Sequence, residues 1–333
     1  MGVLHRELEG KALITGASGF IGGNLRRALR GAGVDVVAIR RASSPAPKLG
    51  RSVALDYADR AALEAVMAEE QPDWVFHVAG VTKGVSYADF QRGNVMPVRN
   101  VVGALLERHP SVKRFVLVSS LAAFGPSAPG KPHRETDPRR PIEHYGRSKL
   151  EAEQLLEARG DALPWTIIRP SGVYGPGDRD YFMLFKEIAA GRNVFFGNKG
   201  RWFSAVYVDD CVRGIVGAAT SAASVGKGYF LCDGHPITFG QFQAAIVEAR
   251  GARVRELHLP EFLTGLAALG GELATKIDGK PRFFNRQRDI MGKQDAWTCT
   301  HDAARQDFGY APEVRLDEGV RRALSWYREQ GWL

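Results

Sequence analysis

The stretch KALITGASGFIG, residues 11–22, runs from a short apolar segment straight into glycines at positions 16, 19 and 22. Lys11–Thr15 has the length and apolarity of a buried strand. Residues 20–30 carry helical periodicity just beyond the glycines. Glycines at i, i+3 and i+6 let the backbone turn tightly and approach a pyrophosphate, and the last lets helix and strand pack closely. Free N–H groups and the positive end of the helix dipole then face the phosphates. A strand–glycine turn–helix unit of this kind predicts a dinucleotide site, with Gly16, Ser18, Gly19, Phe20, Ile21 and Gly22 against the cofactor.

The same alternation continues outward from this unit. Residues 34–39, 52–55, 74–78, 112–119 and 165–169 read as further strands, and helical patterns cover 61–68, 95–107 and 143–158. Strands apolar on both faces and alternating with helices predict an α/β fold, a doubly wound parallel sheet of Rossmann type. After Pro170 the pattern loosens into a smaller lobe, giving an expected division into residues 1–170 and 171–333 with some segments of the second part returning to the sheet. Helices are expected at 183–190, 209–220 and 316–330, and a strand at 228–231.

The chain has 333 residues, 44% hydrophobic and 25% charged, which excludes a disordered or fibrous protein. Three cysteines, Cys211, Cys232 and Cys299, are too few and too scattered for a disulfide framework or a cysteine zinc cluster, and they suit a reducing cytoplasm. The opening MGVLHRELEG has charges where a signal peptide needs an apolar core, and no apolar run is long enough to span a membrane. Segment 259–275 reads as a lid, a core helix or a membrane-surface helix. The eight histidines show no metal-ligand spacing, so no metal is expected. Lys and Arg number 45 against 37 Asp and Glu, a net charge of +8, yet they are dispersed among the acids. That pattern fits an anionic small molecule better than nucleic acid.

Two further patterns carry chemistry. The second strand ends in Arg40-Arg41-Ala42-Ser43-Ser44, without the acid that binds an NAD ribose; guanidinium groups here match a 2′-phosphate and favour NADP over NAD. Tyr145 and Lys149 stand four apart in a helical pattern and share a face, so the ammonium is expected to lower the phenol pKa toward working pH. Upstream, the strand at 112–119 delivers Ser119 and Ser120. Asp209 and Asp210 look like a metal pair but sit at a strand-to-helix junction, where an N-cap with a structural hydrogen bond is the expected role.

These motifs resemble the extended short-chain dehydrogenase/reductases, a group that includes nucleotide-sugar epimerases, 3β-hydroxysteroid dehydrogenases and dihydroflavonol reductases. The resemblance runs through TGASGFIG at 15–22, LDYAD at 55–59, HVAG at 77–80, GNVMPVRNV at 93–101, SSLAAFG at 119–125, YGRSK at 145–149, RPSGVYGPGD at 169–178 and VYVDD at 206–210. It implies Tyr145 as acid/base, Lys149 on the nicotinamide ribose and Ser120 as the catalytic serine. It also implies Asp56 and Tyr57 near the adenine, Ala79 and Gly80 beneath the cofactor, and backbone at Pro170 and Val173 near the nicotinamide amide.

Epimerases of this group usually carry a phosphate-binding arginine just before the strand matching AVYVDD, where this chain reads Phe203-Ser204-Ala205, with Arg201 displaced. The expected lid is instead aromatic, drawing on Phe124, Tyr174, Tyr181, Phe182, Phe185, Trp202, Phe203, Phe283 and Phe284. Thr82, Lys83, Phe124, Tyr174, Phe182 and Trp202 are the expected substrate contacts. An NADP-dependent conversion between a carbonyl and an alcohol on an apolar or aromatic small molecule is therefore expected. The alternatives are a nucleotide-sugar epimerase or dehydratase holding NAD tightly, and a non-catalytic dinucleotide sensor. The resemblance further implies a homodimer through helices 94–109 and 143–158.

Overall fold

A computed structural model describes residues 8–46, 50–278 and 286–333. The chain opens with β1 (Lys11–Thr15), α1 (Phe20–Gly31), β2 (Asp35–Arg40), β3 (Arg51–Ala54), α2 (Arg60–Glu70) and β4 (Trp74–His77). Next come α3 (Tyr87–Phe90), α4 (Met96–Arg108), β5 (Arg114–Val118), α5 (His144–Glu157) and β6 (Trp165–Pro170). Beyond β6 come β7 (Gly172–Tyr174), α6 (Phe182–Ala189), β8 (Arg192–Phe196), β9 (Trp202–Phe203), β10 (Ala205–Tyr207) and α7 (Val208–Thr220). The chain continues through β11 (Lys227–Leu231), β12 (Ile237–Thr238), α8 (Phe239–Arg250), β13 (Arg255–Leu259) and α9 (Phe262–Asp278). The chain closes with α10 (Arg286–Gly292), β14 (Ala296–Trp297), α11 (Asp302–Phe308) and α12 (Leu316–Glu329).

Seven strands form one sheet in the order β11-β6-β5-β4-β1-β2-β3, and every pairing in it is parallel. Side chains of β1 alternate between the faces as a pleated strand requires: Ala12 and Ile14 enter one core layer with α1 and α7, Leu13 the other with α2, α4 and α5. From β1 the chain winds outward to β3, then crosses back to β4 on the other side. That reversal opens a crevice at the carboxyl ends of β1 and β4, where Thr15 and His77 lie in register.

The smaller lobe has its own apolar centre. Phe185 from α6, Phe203 from β9, Phe242 from α8 and Tyr327 from α12 meet there, all essentially buried. Strand β11 leaves the lobe to pair with β6 at the sheet edge. Among the described residues no helix is long and apolar enough to cross a membrane.

Candidate active site

The nucleotide end is a backbone construction. Gly16 has φ +70°, and a Cβ there would come within 2.7 Å of the Ala79 backbone. At Gly22 a Cβ would stand 2.3 Å from the Gly16 carbonyl oxygen, so only glycine lets α1 close onto the turn. Gly19 N–H donates to Gly16 O at 2.9 Å, while no side chain caps α1 and its first turn holds no acid. Its first N–H groups and dipole thus remain available to an anion. Tyr57, expected against the cofactor, lies at the glycine turn: its hydroxyl accepts from Gly16 N–H at 3.2 Å and donates to Ile39 O at 3.1 Å. Nearly buried, it staples the glycine turn to the end of β2. Asp56 is exposed and accepts a local bond from Ala58 N–H.

Arg40 donates from Nη1 to Ser44 O at 2.9 Å, and its Nε is buried without a hydrogen-bond partner among the described residues. Arg41 is exposed, and its charge reaches Tyr57, whose phenol burial pushes up to about 12 and Arg41 pulls back. A polar atom without a partner beside an exposed guanidinium fits a phosphate, and the uncapped α1 fits a second anion. The residues present therefore fit a nicotinamide dinucleotide.

A second cluster of polar side chains gathers around α5. Ser120 follows β5 and accepts from Ala122 N–H at 3.2 Å, and its hydroxyl draws the Tyr145 phenol pKa down. Ser119 points the other way, donating to the buried Glu153 carboxylate. Glu153 is held in turn by Arg169 at 3.0 Å and Arg139 at 3.1 Å, a charged bolt between α5 and β6 beneath the site. Lys149 Nζ donates to Val118 O at 2.8 Å; burial lowers its pKa to about 8, against the pull of Glu153.

Burial pushes the Tyr145 phenol up to about 12; the Ser120 hydroxyl pulls it back, and Glu143 and Asp180 add to the rise. This corrects the expectation of a phenol lowered by Lys149. Helical spacing does put both on one face, but the lysine ammonium donates to the Val118 carbonyl, and burial of the phenol sets the direction of its shift. His77, buried at the end of β4, is depressed to about 3 by burial and by Lys149, so it stays neutral.

Sequence reasoning missed Asn94. It lies in a π-helical turn, Gln91–Val95, between α3 and α4. Its Oδ1 accepts from Val81 N–H at 2.7 Å, and its Nδ2 donates to Val81 O at 3.1 Å and Ser148 Oγ at 2.8 Å. One amide thereby ties the segment after β4 to α5. A Cβ at Gly80 would lie 3.0 Å from Asn94 Oδ1 and 3.6 Å from Lys149 Nζ. The polar residue after Gly93 in an otherwise apolar stretch was the available signal, but π-turns have no sequence signature strong enough to expose it.

The expected substrate contacts divide. Lys83 pairs with Asp180 at 3.7 Å, and Asp180 also meets Arg288 of α10 at 3.2 Å. Gln287 Oε1 accepts from His144 N–H at 2.8 Å, seating α10 on the start of α5. Thr82 and Trp202 are exposed. Tyr174 belongs to the packing of the lobe, buried against Tyr207 and Phe242, and so does Phe182, against Tyr327 and Trp332. Phe124 is buried between Phe230 and the Arg169 guanidinium, beside a cavity of about 620 Å³ on the outer sheet edge that Ser120, Tyr145 and Lys149 do not line. Phe124 and Tyr174 are corrected from pocket to core, while Phe182 stays half-buried, because aromatic composition does not separate a lid from packing. Phe185 and Phe203 are likewise core, while Phe283 and Phe284 fall outside the described residues.

Asp210 is structural, as expected, though not as an N-cap. It lies in the first turn of α7, accepts from Glu313 and Val314 N–H at 3.0 Å, and pairs with Arg213. Arg201 is engaged with Glu261 at 2.7 Å.

Residues 12–231 match the NAD dependent epimerase/dehydratase family, and the chain belongs to that family. It is an enzyme of the extended short-chain dehydrogenase/reductase class, which uses a nicotinamide dinucleotide. It is 28% identical to a 4-hydroxy-2-methyl-3-oxo-4-farnesyl-3,4-dihydroquinoline-1-oxide ketoreductase of Stigmatella aurantiaca, covering 93% of this chain and 94% of the relative. It is 30% identical to a 3 beta-hydroxysteroid dehydrogenase/Delta 5-->4-isomerase of Mycobacterium tuberculosis, over 96% of this chain and 90% of that protein. The fold matches the crystal structure of a UDP-glucose 4-epimerase from Thermotoga maritima with a TM-score of 0.79 at 22% identity, covering 96% of this chain and 99% of that one.

Proposed function

We propose that the chain is an NADP-dependent oxidoreductase that reduces a ketone or aldehyde on an apolar or aromatic small molecule. The observation that carries this reading is the convergence of Ser120, Tyr145 and Lys149 at the carboxyl end of β5. A bound nicotinamide supplies the hydride. Ser120 Oγ holds the substrate oxygen, and Tyr145 Oη gives that oxygen its proton as the alcohol forms. A phenol held well above neutral pH is protonated in the resting site, which suits a donor. Lys149 would hold the nicotinamide ribose, its ammonium fixed by Val118 O.

The glycine turn at Gly16, Ser18, Gly19, Phe20, Ile21 and Gly22 would take the pyrophosphate, and Arg40 and Arg41 the 2′-phosphate. Asp56 would meet the adenine, with Ala79, Gly80, Pro170 and Val173 around the nicotinamide end. The ketone chemistry named for the Stigmatella relative and the steroid chemistry named for the mycobacterial one support an apolar carbonyl substrate. We further read α4 and α5 as the face of a cytoplasmic homodimer, since α5 leaves Leu150 and Leu155 partly exposed beside Glu151.

The test is a panel of aryl ketones, aldehydes and UDP sugars followed by NADPH and NADH absorbance. Consumption of NADPH in preference to NADH with an apolar carbonyl is expected. Conversion of a UDP sugar without net change in absorbance would place the chain with the epimerases instead.

A further inference from the structure

Three segments far apart in the chain close on the start of α5. The turn after β4 carries Lys83. A Cβ at the next residue, Gly84, would lie 2.9 Å from the Phe90 ring, and that ring stands 6.5 Å from the ring of Tyr145. Helix α10 carries Arg288, and its Gln287 accepts from His144 N–H, one residue before Tyr145. The loop before α6 carries Asp180. The Tyr181 hydroxyl beside it lies 2.4 Å from where a Cβ on Gly172 of β7 would stand, which anchors the loop just past Pro170.

The three segments meet through charge. Asp180 turns Oδ1 toward Lys83 Nζ at 3.7 Å and Oδ2 toward Arg288 Nη2 at 3.2 Å. A carboxylate thus already lies between an ammonium and a guanidinium. Lys83, Asp180 and Arg288 keep 41%, 43% and 30% of their side chains exposed, so the pairing is open to water and adds little to folding. An ammonium has three donors and a guanidinium five, enough for more than one acceptor each. The buried Asp178 fixes the backbone below, accepting from Asp180 and Tyr181 N–H at 2.9 Å. The loop is held at its turn, while Asp180 itself reaches outward. The ion cluster between α5 and β6 is the contrast. Glu153 there is fully buried against Arg139 and Arg169 and closed to any ligand.

We propose that Lys83 and Arg288 form a seat for a substrate carboxylate at the mouth of the site, held by Asp180 until a substrate acid displaces it, so that the substrate is an apolar keto acid. The inference rests on the reading of Tyr145 as proton donor and names the substrate class of that reaction. The carbonyl faces Tyr145, the acid group exchanges with the Asp180 carboxylate, and an apolar body spans the two. Guanidinium and carboxylate match in planar, paired bonds, and the exposed ion pair that gives way is weak. The net charge of +8 favours the approach of such an anion. Hydride from NADPH reaches the carbonyl carbon and the Tyr145 proton its oxygen; the carboxylate takes no part in the bond changes.

The test follows NADPH oxidation with 3-oxo-3-phenylpropanoate, 4-oxo-4-phenylbutanoate and 5-oxo-5-phenylpentanoate, each beside its methyl ester. The native enzyme is expected to favour at least one acid over its ester about tenfold in kcat/KM, mainly through KM. Lys83→Met and Arg288→Met each bring that ratio close to one, Lys83→Arg keeps most of it, and Asp180→Ala, which frees the seat, raises it. General damage to the site lowers acid and ester together and leaves the ratio unmoved. A native ratio at or below one for every pair, or an unmoved ratio in the folded Met variants, overturns the proposal. Calorimetric binding of the same pairs to the NADP+-loaded enzyme reads the ratio without turnover. Acids bound through Lys83 and Arg288 but never reduced would support the seat and sink the reduction reading. Acids and esters reduced and bound alike would sink this inference alone, and so would a failure of every acid to bind.

Discussion

The glycine turn after β1 and the aromatic core around Phe242 are held together by different means. At the nucleotide end, β1, the glycine turn and α1 are consecutive in the chain, and contacts between backbone atoms fix them: Gly16 on Ala79, Gly22 on Gly16. In the aromatic core, Tyr174, Phe203, Phe242 and Tyr327 come from four elements spread between residues 174 and 327 and meet only in the folded core. The first region tolerates almost no added atom but contains little apolar bulk. The second depends on bulk and on the shape of rings. Mutations should therefore separate the two.

The largest effect falls in the lobe. Phe242 is fully buried against Tyr174, Tyr181, Phe185 and Phe203. Phe242→Ala is expected to cost about 3–5 kcal/mol in denaturant unfolding, with cofactor binding by the remaining folded protein close to native. Equal loss of cofactor affinity would join the two regions into one unit. Gly16→Ala tests the converse. Its left-handed backbone and the 2.7 Å approach to Ala79 predict a loss of about 1–3 kcal/mol, accompanied by weakened NADPH binding in fluorescence titration. A variant binding NADPH as tightly as the native protein would show that the turn has slack. The smallest effect is at Arg41, which is exposed and contributes little to folding. Arg41→Ala should raise the KM for NADPH about tenfold, as loss of one charge-assisted contact does, and leave Tm and the KM for NADH unchanged. Equal effects on both cofactors would remove the 2′-phosphate from its role.

The sequence was most legible where structure is local. β1, α1, β2, β4 and β6 fall within a residue or two of their expected bounds, because each is a run whose periodicity and glycine boundary can be read in isolation. The return of β11 to the sheet was likewise foreshadowed by the apolar run at 228–231. The candidate site was legible in its residue types and less so in its electrostatics. Tyr145 and Lys149 do share a helix, but helical spacing says nothing of the Val118 carbonyl that receives the lysine or of the enclosure that raises the phenol. Asn94 was hidden by a π-turn. The aromatic lid was misjudged for a different reason: Phe124, Tyr174 and Phe182 gain their roles from partners such as Phe230, Phe242 and Trp332, which lie far along the chain.

The central claim is that Tyr145 delivers the proton at a site where the cofactor is held chiefly by other residues. Turnover of an active ketone from the panel by Tyr145→Phe, measured beside NADPH binding by fluorescence titration, tests it most directly. The account predicts a rate at least about 10²-fold below native, with NADPH affinity largely retained. Native turnover in a folded, NADPH-binding Tyr145→Phe protein would contradict it.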